Sequence, residues 1–378
     1  MESVYDTMDL GDDQGERKEA ERRFVGIDLG KRTYEAAIVG KGGKVTMSNG
    51  RTYVAGRQSL YKKLHPCDKV ALEAGNMAFI MAKEIQASVG CRVYVLNPSQ
   101  LAVIYTSMKK TDKEDALKLA HILEDCREER LPVVPVPGEK ELGRRKLLAG
   151  YRCAKRSRNR DINRLHGLFV SQGITTKVRK DLAIAKSREE AVKELSGYEL
   201  EEAEYLLKSL ALCEQRIVEL EEQMEKESSG DEEIERLRSI PGVGPKTAFA
   251  FVAHVATERF ENASQVGNYL GLVPRVYKSG ETVRYGRITK RGNGYLRALL
   301  VQSAWALTNT KGGEKLKLRY EYMTVEKSKR KKTAVVAVAR RLAEMMYTMM
   351  RDKTWYVSRP FTAGRKEAET LGKLALSA

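Results

Sequence analysis

Four acidic residues give this sequence its clearest chemical meaning. Asp28 lies in the apolar run VGIDL, and Glu73 lies near the end of the apolar run DKVALEA. Asp112 and Asp115 are three residues apart, a spacing that puts both carboxylates on one face of a helix. A carboxylate in an apolar strand is costly unless it is paired or holds a cation. Gathered at one place, these four would repel one another unless divalent cations were bound, and such clusters suit two-metal phosphodiester chemistry.

Each acid also has simpler interpretations. The stretch around Asp28 alone is compatible with a metal-binding carboxylate of an RNase H-like fold, a nucleotide-phosphate site of the sugar-kinase and actin type, or a solvated aspartate at a strand end. Asp112 and Asp115 alone are typical of N-terminal helix capping, because acids in a first turn favour the helix dipole. The combination favours the metal site, since an RNase H-like fold brings these positions to one edge of its sheet.

A second candidate is Ser279, in the turn YKSGE. Most turn serines only hydrogen-bond to the local backbone, but residues 275–297 hold seven bases and one acid. Tyr277 and Tyr285 are rival nucleophiles, and Ser303, in the apolar stretch VQSAWAL, is predicted to be a core residue. The bases predicted to hold nucleic acid around Ser279 are Arg275, Lys278, Arg284, Arg287, Lys290 and Arg291.

The charge balance predicts a polyanionic partner. The chain has 68 Lys and Arg against 51 Asp and Glu, a net charge of +17. Its first 22 residues are acidic, with eight acids and three bases, so the rest of the chain is more basic still. An excess of basic residues of this size, if they cluster, is typical of a nucleic-acid-binding protein.

Two further segments are predicted to contact nucleic acid. A helix over residues 139–170 carries arginines at every fourth position, which form a basic ridge suited to a phosphate backbone. The stretch IPGVGPKTA has the glycine pattern of a helix-hairpin-helix, whose backbone N–H groups approach a DNA phosphate. The residues concerned are Arg152, Arg156, Arg160 and Arg164 in the ridge, and Gly242, Gly244 and Lys246 in the hairpin.

The hydrophobic pattern predicts an α/β fold followed by helices. Residues 24–39 form two hairpin strands, 44–47 a third strand and 59–64 a helix. Strands over 68–74 and 91–97 flank a helix over 77–88, which implies a parallel crossover. Helices over 99–105 and 109–123 follow. From Ala203 to Met224 apolar residues recur at three-four spacing, which predicts a short coiled coil, either within one chain or between two.

We therefore predict four regions. These are a disordered acidic leader over 1–22, an α/β domain over 23–182 that includes the basic helix, a coiled coil and linker over 183–232, and a mostly helical domain over 233–378. No apolar run approaches the roughly 18 residues of a membrane span, and no signal peptide is seen. The five cysteines lack metal-binding spacing. These features predict a cytoplasmic protein without a membrane partner.

Together the motifs resemble the insertion-sequence-110 family of bacterial transposases, the DEDD recombinases that include the Piv invertase. The resemblance runs from about Phe24 to Tyr347 and rests on VGIDLGKRTYEAAIV, the LEA strand, TDKEDALKLA, IPGVGPKTA and GLVPRVYKSGETVRYGRITKRGNGYLRALLVQSAW. It implies a site-specific DNA recombinase of an insertion sequence, with a RuvC-like nuclease domain of the RNase H-like class, a coiled coil and a transposase domain.

The resemblance also implies residue roles and partners. The catalytic, metal-binding acids would be Asp28, Glu73, Asp112 and Asp115, with Mg²⁺ (or Mn²⁺), and Ser279 would form a phosphoserine with DNA. The implied partners are double-stranded donor and target DNA, a structured guide RNA and further copies of the chain, as a dimer or tetramer in the nucleoid of a bacterium or archaeon. No histidine lies in the Ser279 motif, so the metal would activate the serine, in a composite site that the coiled coil would complete between protomers.

Four other functions stay open. A sugar-kinase-type ATPase would need a second glycine-rich phosphate loop, which the sequence lacks. A RuvC-like structure-specific endonuclease has the acids but no need of Ser279, and a DNA invertase would work without a guide RNA. A non-catalytic nucleic-acid scaffold would need neither the acids nor the serine.

Overall fold

A computed structural model describes residues 23–75, 77–98, 100–101, 111–280, 282–325 and 331–358. Outside the described residues lie the leader predicted over 1–22, most of the helix predicted over 99–105, and most of a basic cluster at 327–332. The chain divides into two compact units, Met1–Pro137 and Gly138–Ala378. The division differs from the predicted boundary after residue 182, because the basic helix packs with the second unit.

The first unit is a five-stranded sheet with helices. Its strands are β1 (Phe24–Leu29), β2 (Thr33–Val39), β3 (Val45–Arg51), β4 (Lys69–Glu73) and β5 (Arg92–Leu96), and its helices are α1 (Val54–Tyr61), α2 (Ala78–Ser88) and α3 (Asp112–Asp125). The strand order is β3-β2-β1-β4-β5. The pairs β1–β2 and β2–β3 are antiparallel, whereas β1–β4 and β4–β5 are parallel. The predicted hairpin and parallel crossover are therefore confirmed, while α1 starts five residues before its predicted position.

Each face of the sheet has its own core. Val25 and Ile27 of β1 pack with Met81 and Ile85 of α2. Because side chains alternate along a strand, Gly26 and Asp28 belong to the opposite face. There Ala37 and Val39 of β2 cluster with Ala116 and Ala120 of α3. The sheet thus places Asp28 on the face that α3 covers.

The second unit is mostly helical. Its helices are α4 (Glu139–Ser171), α5 (Arg179–Leu182), α6 (Ala185–Val192), α7 (Gly197–Ser228), α8 (Glu232–Arg238), α9 (Pro245–His254), α10 (Ala263–Tyr269), α11 (Gly294–Asn309), α12 (Glu314–Val325) and α13 (Lys331–Arg351), and its strands are β6 (Pro274–Ser279) and β7 (Thr282–Ile288). No helix in the described part of the chain has the length and apolarity needed to cross a membrane.

The long helices α4 and α7 form a hairpin within one chain. Leu206 and Leu210 of α7 are buried with Leu165 and Phe169 of α4. Further along the hairpin, Leu220 and Met224 are buried in a core that contains Leu148 and Tyr151. The apolar seam that begins at Ala203 is therefore covered by α4. Of the two predicted alternatives, the seam therefore forms the coiled coil within one chain, and the active site shared between protomers stays a prediction.

The C-terminal helices share one core. Phe249 and Phe251 of α9 pack with Leu300 of α11 and with Leu342 and Met346 of α13. The chain after α13 returns to this core: the Tyr356 N–H donates to Ser239 Oγ at 3.2 Å, and its hydroxyl donates to the carbonyl oxygen of Gly312 at 2.5 Å. Tyr356 is thus docked onto this core, whereas Trp355 is exposed.

Candidate active site

Asp28 is positioned by a close contact between β1 and α3. A Cβ atom on Gly26, two residues before Asp28, would lie 2.0 Å from the carbonyl oxygen of Ala116 and 2.5 Å from the amide nitrogen of Ala120. The backbone of α3 therefore touches the backbone of β1, and only glycine leaves room for it. This contact brings the first turn of α3, with Asp112 and Asp115, towards Asp28.

The carboxylates influence one another electrostatically. Asp28 is half-buried, and its pKa is raised to about 6 by burial first and then by the negative charges of Asp112, Asp115 and Glu73. The backbone N–H of Leu29 partly offsets this rise. Glu73 and Asp112 are exposed, and Asp115 is partly buried. The four acids that the sequence singles out thus share one electrostatic neighbourhood.

Neither acid of the pair is the N-cap of α3, although both lie in its first turn, where the helix dipole favours them. The N-cap residue is Thr111, whose hydroxyl accepts a hydrogen bond from the Glu114 N–H at 3.3 Å. Asp115 instead accepts a hydrogen bond from Lys118 Nζ at 2.6 Å. Neither Thr111 nor Lys118 was among the predicted residues, although a threonine directly before an acidic first turn is a common N-terminal signal.

The donor set fits a hard divalent cation in its chemistry. Carboxylate oxygens are the ligands that Mg²⁺ and Mn²⁺ prefer, and a bound cation would relieve the repulsion that raises the pKa of Asp28. The four carboxylates are spaced more widely than the ligands of a closed metal site. Among the described residues, no three His, Cys, Asp or Glu side chains are grouped closely enough to hold a metal ion.

Ser279 lies at the end of an exposed hairpin in the second unit. Strands β6 and β7 pair antiparallel, with Ser279 opposite Thr282 and Tyr277 opposite Arg284. The bases predicted to surround Ser279 are all exposed: Arg275, Lys278, Arg284, Arg287, Lys290 and Arg291. Ser303 is buried instead, with its Oγ 3.0 Å from Thr247 Oγ1, so the prediction that it is a core residue is confirmed.

Some arginines of the basic ridge of α4 already contact other groups of the protein. The Arg152 guanidinium lies 4.9 Å from the centroid of the Tyr295 ring. Arg160 pairs with the neighbouring Asp161 at 3.2 Å, and Arg164 pairs with Glu202 at 2.7 Å. Arg156 is exposed and makes no ion pair with any described residue. The guanidinium groups of Arg156, Arg160 and Arg164 are exposed and remain accessible to a phosphate backbone, although the Asp161 carboxylate that pairs with Arg160 is buried.

The segment predicted to form a helix-hairpin-helix consists of α8, a turn and α9. Gly242 has a φ of 82°, and an added Cβ would lie 2.6 Å from the backbone nitrogen of Leu307. Close packing against α11 therefore explains why residue 242 is a glycine. Lys246 Nζ donates to the Tyr151 hydroxyl at 2.9 Å and pairs with Glu221. Gly244, the N-cap of α9, has no atom within 4 Å of an added Cβ, and the Lys246 side chain keeps 42% of its surface exposed.

Comparison with known sequences identifies the family. A sequence model of the DEDD domain of the IS110 family, described as a transposase, matches residues 25–172. A second model, described as the transposase IS116/IS110/IS902 family, matches residues 234–321. The chain belongs to the IS110 family of transposases. The first match contains the four acids, and the second contains Ser279.

Individual relatives of this transposase carry similar names. It is 28% identical over 339 residues to a probable family 20 transposase of Pseudomonas aeruginosa, covering 88% of this chain and 98% of that protein. It is 28% identical over 290 residues to the transposase for insertion sequence element IS1328 of Yersinia enterocolitica, covering 74% and 82%. It is 32% identical over 164 residues to the transposase for IS1111A of Coxiella burnetii, covering 40% and 43%.

The family assignment gives the coarse function. The protein is a DNA transposase, an enzyme that acts on DNA, and its DEDD domain indicates dependence on a divalent metal. The structure adds Gly26, which the sequence analysis did not single out. The available signal was a glycine inside a buried strand, which often marks the close approach of another backbone.

Proposed function

We propose that this transposase cuts and rejoins DNA through a covalent bond to Ser279, with Asp28, Glu73, Asp112 and Asp115 as ligands of Mg²⁺ or Mn²⁺. The observation that supports the metal site best is the raised pKa of Asp28, because three other carboxylates contribute to it. The strand order β3-β2-β1-β4-β5, with β2 antiparallel to its neighbours, supports a RuvC-like domain of the RNase H-like class.

The proposed reaction is a transesterification. The Ser279 oxygen forms a bond to phosphorus, the bond from phosphorus to one deoxyribose oxygen breaks, and that oxygen leaves as a free hydroxyl after taking a proton. The serine proton passes to solvent. In the second half, the hydroxyl of another strand attacks the phosphoserine and the Ser279 oxygen leaves. A divalent cation bound by the acids would neutralise charge on the scissile phosphate and activate the hydroxyl.

The chain's own bases would hold the DNA in this reaction. Arg275 and Arg284 are exposed on the serine hairpin and would pair with phosphate oxygens, since guanidinium groups bind phosphate through two hydrogen bonds. The hairpin holds no histidine, and its one carboxylate belongs to Glu281, two residues after Ser279. Because no histidine is available as a base for the serine proton, we propose that the metal activates the serine.

A structured guide RNA is the partner we propose for the exposed part of the ridge, at Arg156, Arg160 and Arg164. This assignment rests on the family resemblance and on the exposure of these side chains. The resemblance also supports a dimer or tetramer, whose interface would lie outside the α4–α7 seam because that seam is covered within one chain.

Cleavage of a supercoiled plasmid that carries the element's ends tests the proposal. With Mg²⁺, the wild-type protein should nick the plasmid and form an SDS-resistant protein–DNA adduct, and peptide mass spectrometry should map the adduct to Ser279. Ser279→Ala should abolish the adduct, whereas Ser303→Ala is the control for loss of a serine hydroxyl. Undiminished cutting by Ser279→Ala without an adduct would favour a RuvC-like endonuclease. An adduct at Tyr277 or Tyr285 would refute the serine assignment.

A further inference from the structure

The serine hairpin has two chemically different faces. Side chains alternate along each strand, and directly paired residues share a face. Ser279 and Tyr277 therefore lie on one face with their cross-strand partners Thr282 and Arg284. The opposite face carries Val276 and Lys278 of β6 with Tyr285 and Val283 of β7. The first face, here called the serine face, combines the Ser279 hydroxyl, the Tyr277 ring and the Arg284 guanidinium.

The ring of Tyr277 lies against the backbone at Gly286. A Cβ atom added to Gly286 would lie 3.0 Å from Cε2 of Tyr277 and 3.6 Å from Cβ of Arg275. The strand register shifts at this point, between Pro274 and Val276. One side of the ring is thus supported by backbone that has no side chain, yet 58% of Tyr277 remains exposed to solvent. A large ring surface on the serine face is held in place and uncovered.

The base of the hairpin is firmly anchored. The Thr289 N–H donates to the carbonyl oxygen of Val273 at 2.9 Å, and the Lys290 N–H donates to that of Gly271 at 3.2 Å. A Cβ on Gly292 would lie 2.0 Å from the carbonyl oxygen of Tyr269, so the following loop touches the end of α10 directly. An exposed two-stranded hairpin alone is only marginally stable in water. These contacts fix its root, so the serine face is presented on a rigid support.

We propose that Tyr277 is the stacking platform for a nucleobase of the DNA strand whose phosphate lies at Ser279. The proposal rests on the proposed role of Ser279. Two residues of a strand span about 7 Å, which places the ring one nucleotide from the hydroxyl. Arg284, which pairs with Tyr277 across the hairpin, and Arg275, two residues before Tyr277 in the same strand, supply positive charge for the adjoining phosphates. Base stacking on an aromatic side chain commonly changes affinity about ten-fold or more. Tyr277 would hold an unstacked base and so fix which phosphate meets Ser279.

Tyr285 provides a matched control. It is the same residue type in the same hairpin and is even more exposed, at 73%, but it pairs with Val276 on the opposite face. A general need for exposed tyrosines or for hairpin stability would affect both positions. If stacking occurs on the serine face, only substitution of Tyr277 should affect nucleic-acid binding.

Fluorescence of 2-aminopurine tests the proposal in full-length protein that carries Ser279→Ala, so that binding is measured without cleavage. The probes are a duplex with the modified base beside the mapped cleavage position, and a single-stranded oligothymidine containing one such base. We expect binding to quench both probes. Adding Tyr277→Leu should remove the quenching and weaken binding about ten-fold or more. Tyr277→Phe should retain both, and Tyr285→Leu should behave like the parent.

A second variant tests the platform without removing the ring. Gly286→Val should displace Tyr277 from its backbone support and lose quenching, while its thermal unfolding stays close to that of the parent. Unchanged quenching in Tyr277→Leu, or equal losses in Tyr277→Leu and Tyr285→Leu, would overturn the stacking role. The oligothymidine probe needs no cleavage. Quenching that depends on Tyr277 would therefore survive even if the plasmid assay excluded Ser279 as the nucleophile.

Discussion

Gly26 of β1 and Ala116 of α3 meet backbone to backbone, with space for a hydrogen atom but not for a methyl group. This contact sets the distance between the strand that carries Asp28 and the helix that carries Asp112 and Asp115. The charges of those two residues raise the pKa of Asp28. The geometry of the proposed metal site therefore depends on a residue with no side chain.

Gly26→Ala should displace α3 and separate the acids. We expect a loss of about 1–3 kcal/mol in the free energy of unfolding, the usual cost of overpacking a core, and a loss of Mg²⁺-dependent cleavage. Gly40→Ala is the matched control, because an added Cβ at Gly40 has its nearest neighbour at 3.8 Å. Urea denaturation and the plasmid assay measure the two effects. Wild-type stability in Gly26→Ala would show that the contact is looser than described.

The repulsion among the four acids predicts the behaviour of Asp28→Asn. Without metal, this variant should unfold at a higher temperature than the wild type at neutral pH, because one of several like charges is removed from a half-buried position. Mg²⁺ should raise the unfolding temperature of the wild type and have little effect on Asp28→Asn. Thermal unfolding in EDTA and in MgCl₂ measures both effects. An equal shift by Mg²⁺ in both proteins would count against Asp28 as a ligand.

Much of the first unit was predictable because its signals are local. The apolar runs around Asp28 and Glu73 and the acid spacing in α3 identify the strands and the helix. The backbone contact of Gly26 with Ala116 was not predictable, since it depends on how the helix lies on the sheet. The three-four pattern from Ala203 predicted a coiled coil but left its partner open. That partner is α4, whose apolar residues are interleaved with the arginines that dominate its sequence.

His254 predicts a pH dependence of stability in the second unit. Its pKa is lowered to about 4 by burial first and then by the positive charges of Arg145, Arg259 and Arg152. The folded state therefore keeps His254 neutral, while the unfolded state binds a proton below about pH 6.5. Stability should fall as the pH drops from about 6.5 to 4, by up to about 1.4 kcal/mol per pH unit from this group.

Denaturation across this pH range, with His254→Gln beside the wild type, isolates the contribution. The slope between about pH 6.5 and 4 should be smaller in His254→Gln, because the group that takes up the proton on unfolding is absent. His166→Gln controls for the loss of another histidine from the same unit. Equal slopes in the wild type and His254→Gln would show that the imidazole is not excluded from protonation in the fold.

The arginines of α4 should divide into two groups. Arg152 lies over the ring of Tyr295, so Arg152→Ala should lower the free energy of unfolding by about 0.5–2 kcal/mol. Arg156, Arg160 and Arg164 are exposed, but Arg160 pairs with the buried Asp161. The alanine variants of Arg156 and Arg164 should keep wild-type stability, whereas Arg160→Ala should lose some because it removes the partner of a buried carboxylate. Each variant should reduce the salt dependence of nucleic-acid binding by about one unit. Binding titrations at several salt concentrations, with structured RNA and duplex DNA as separate ligands, measure the slope. An unchanged slope in the triple variant would mean that these three arginines only face solvent. An effect confined to RNA would support a guide RNA as their partner.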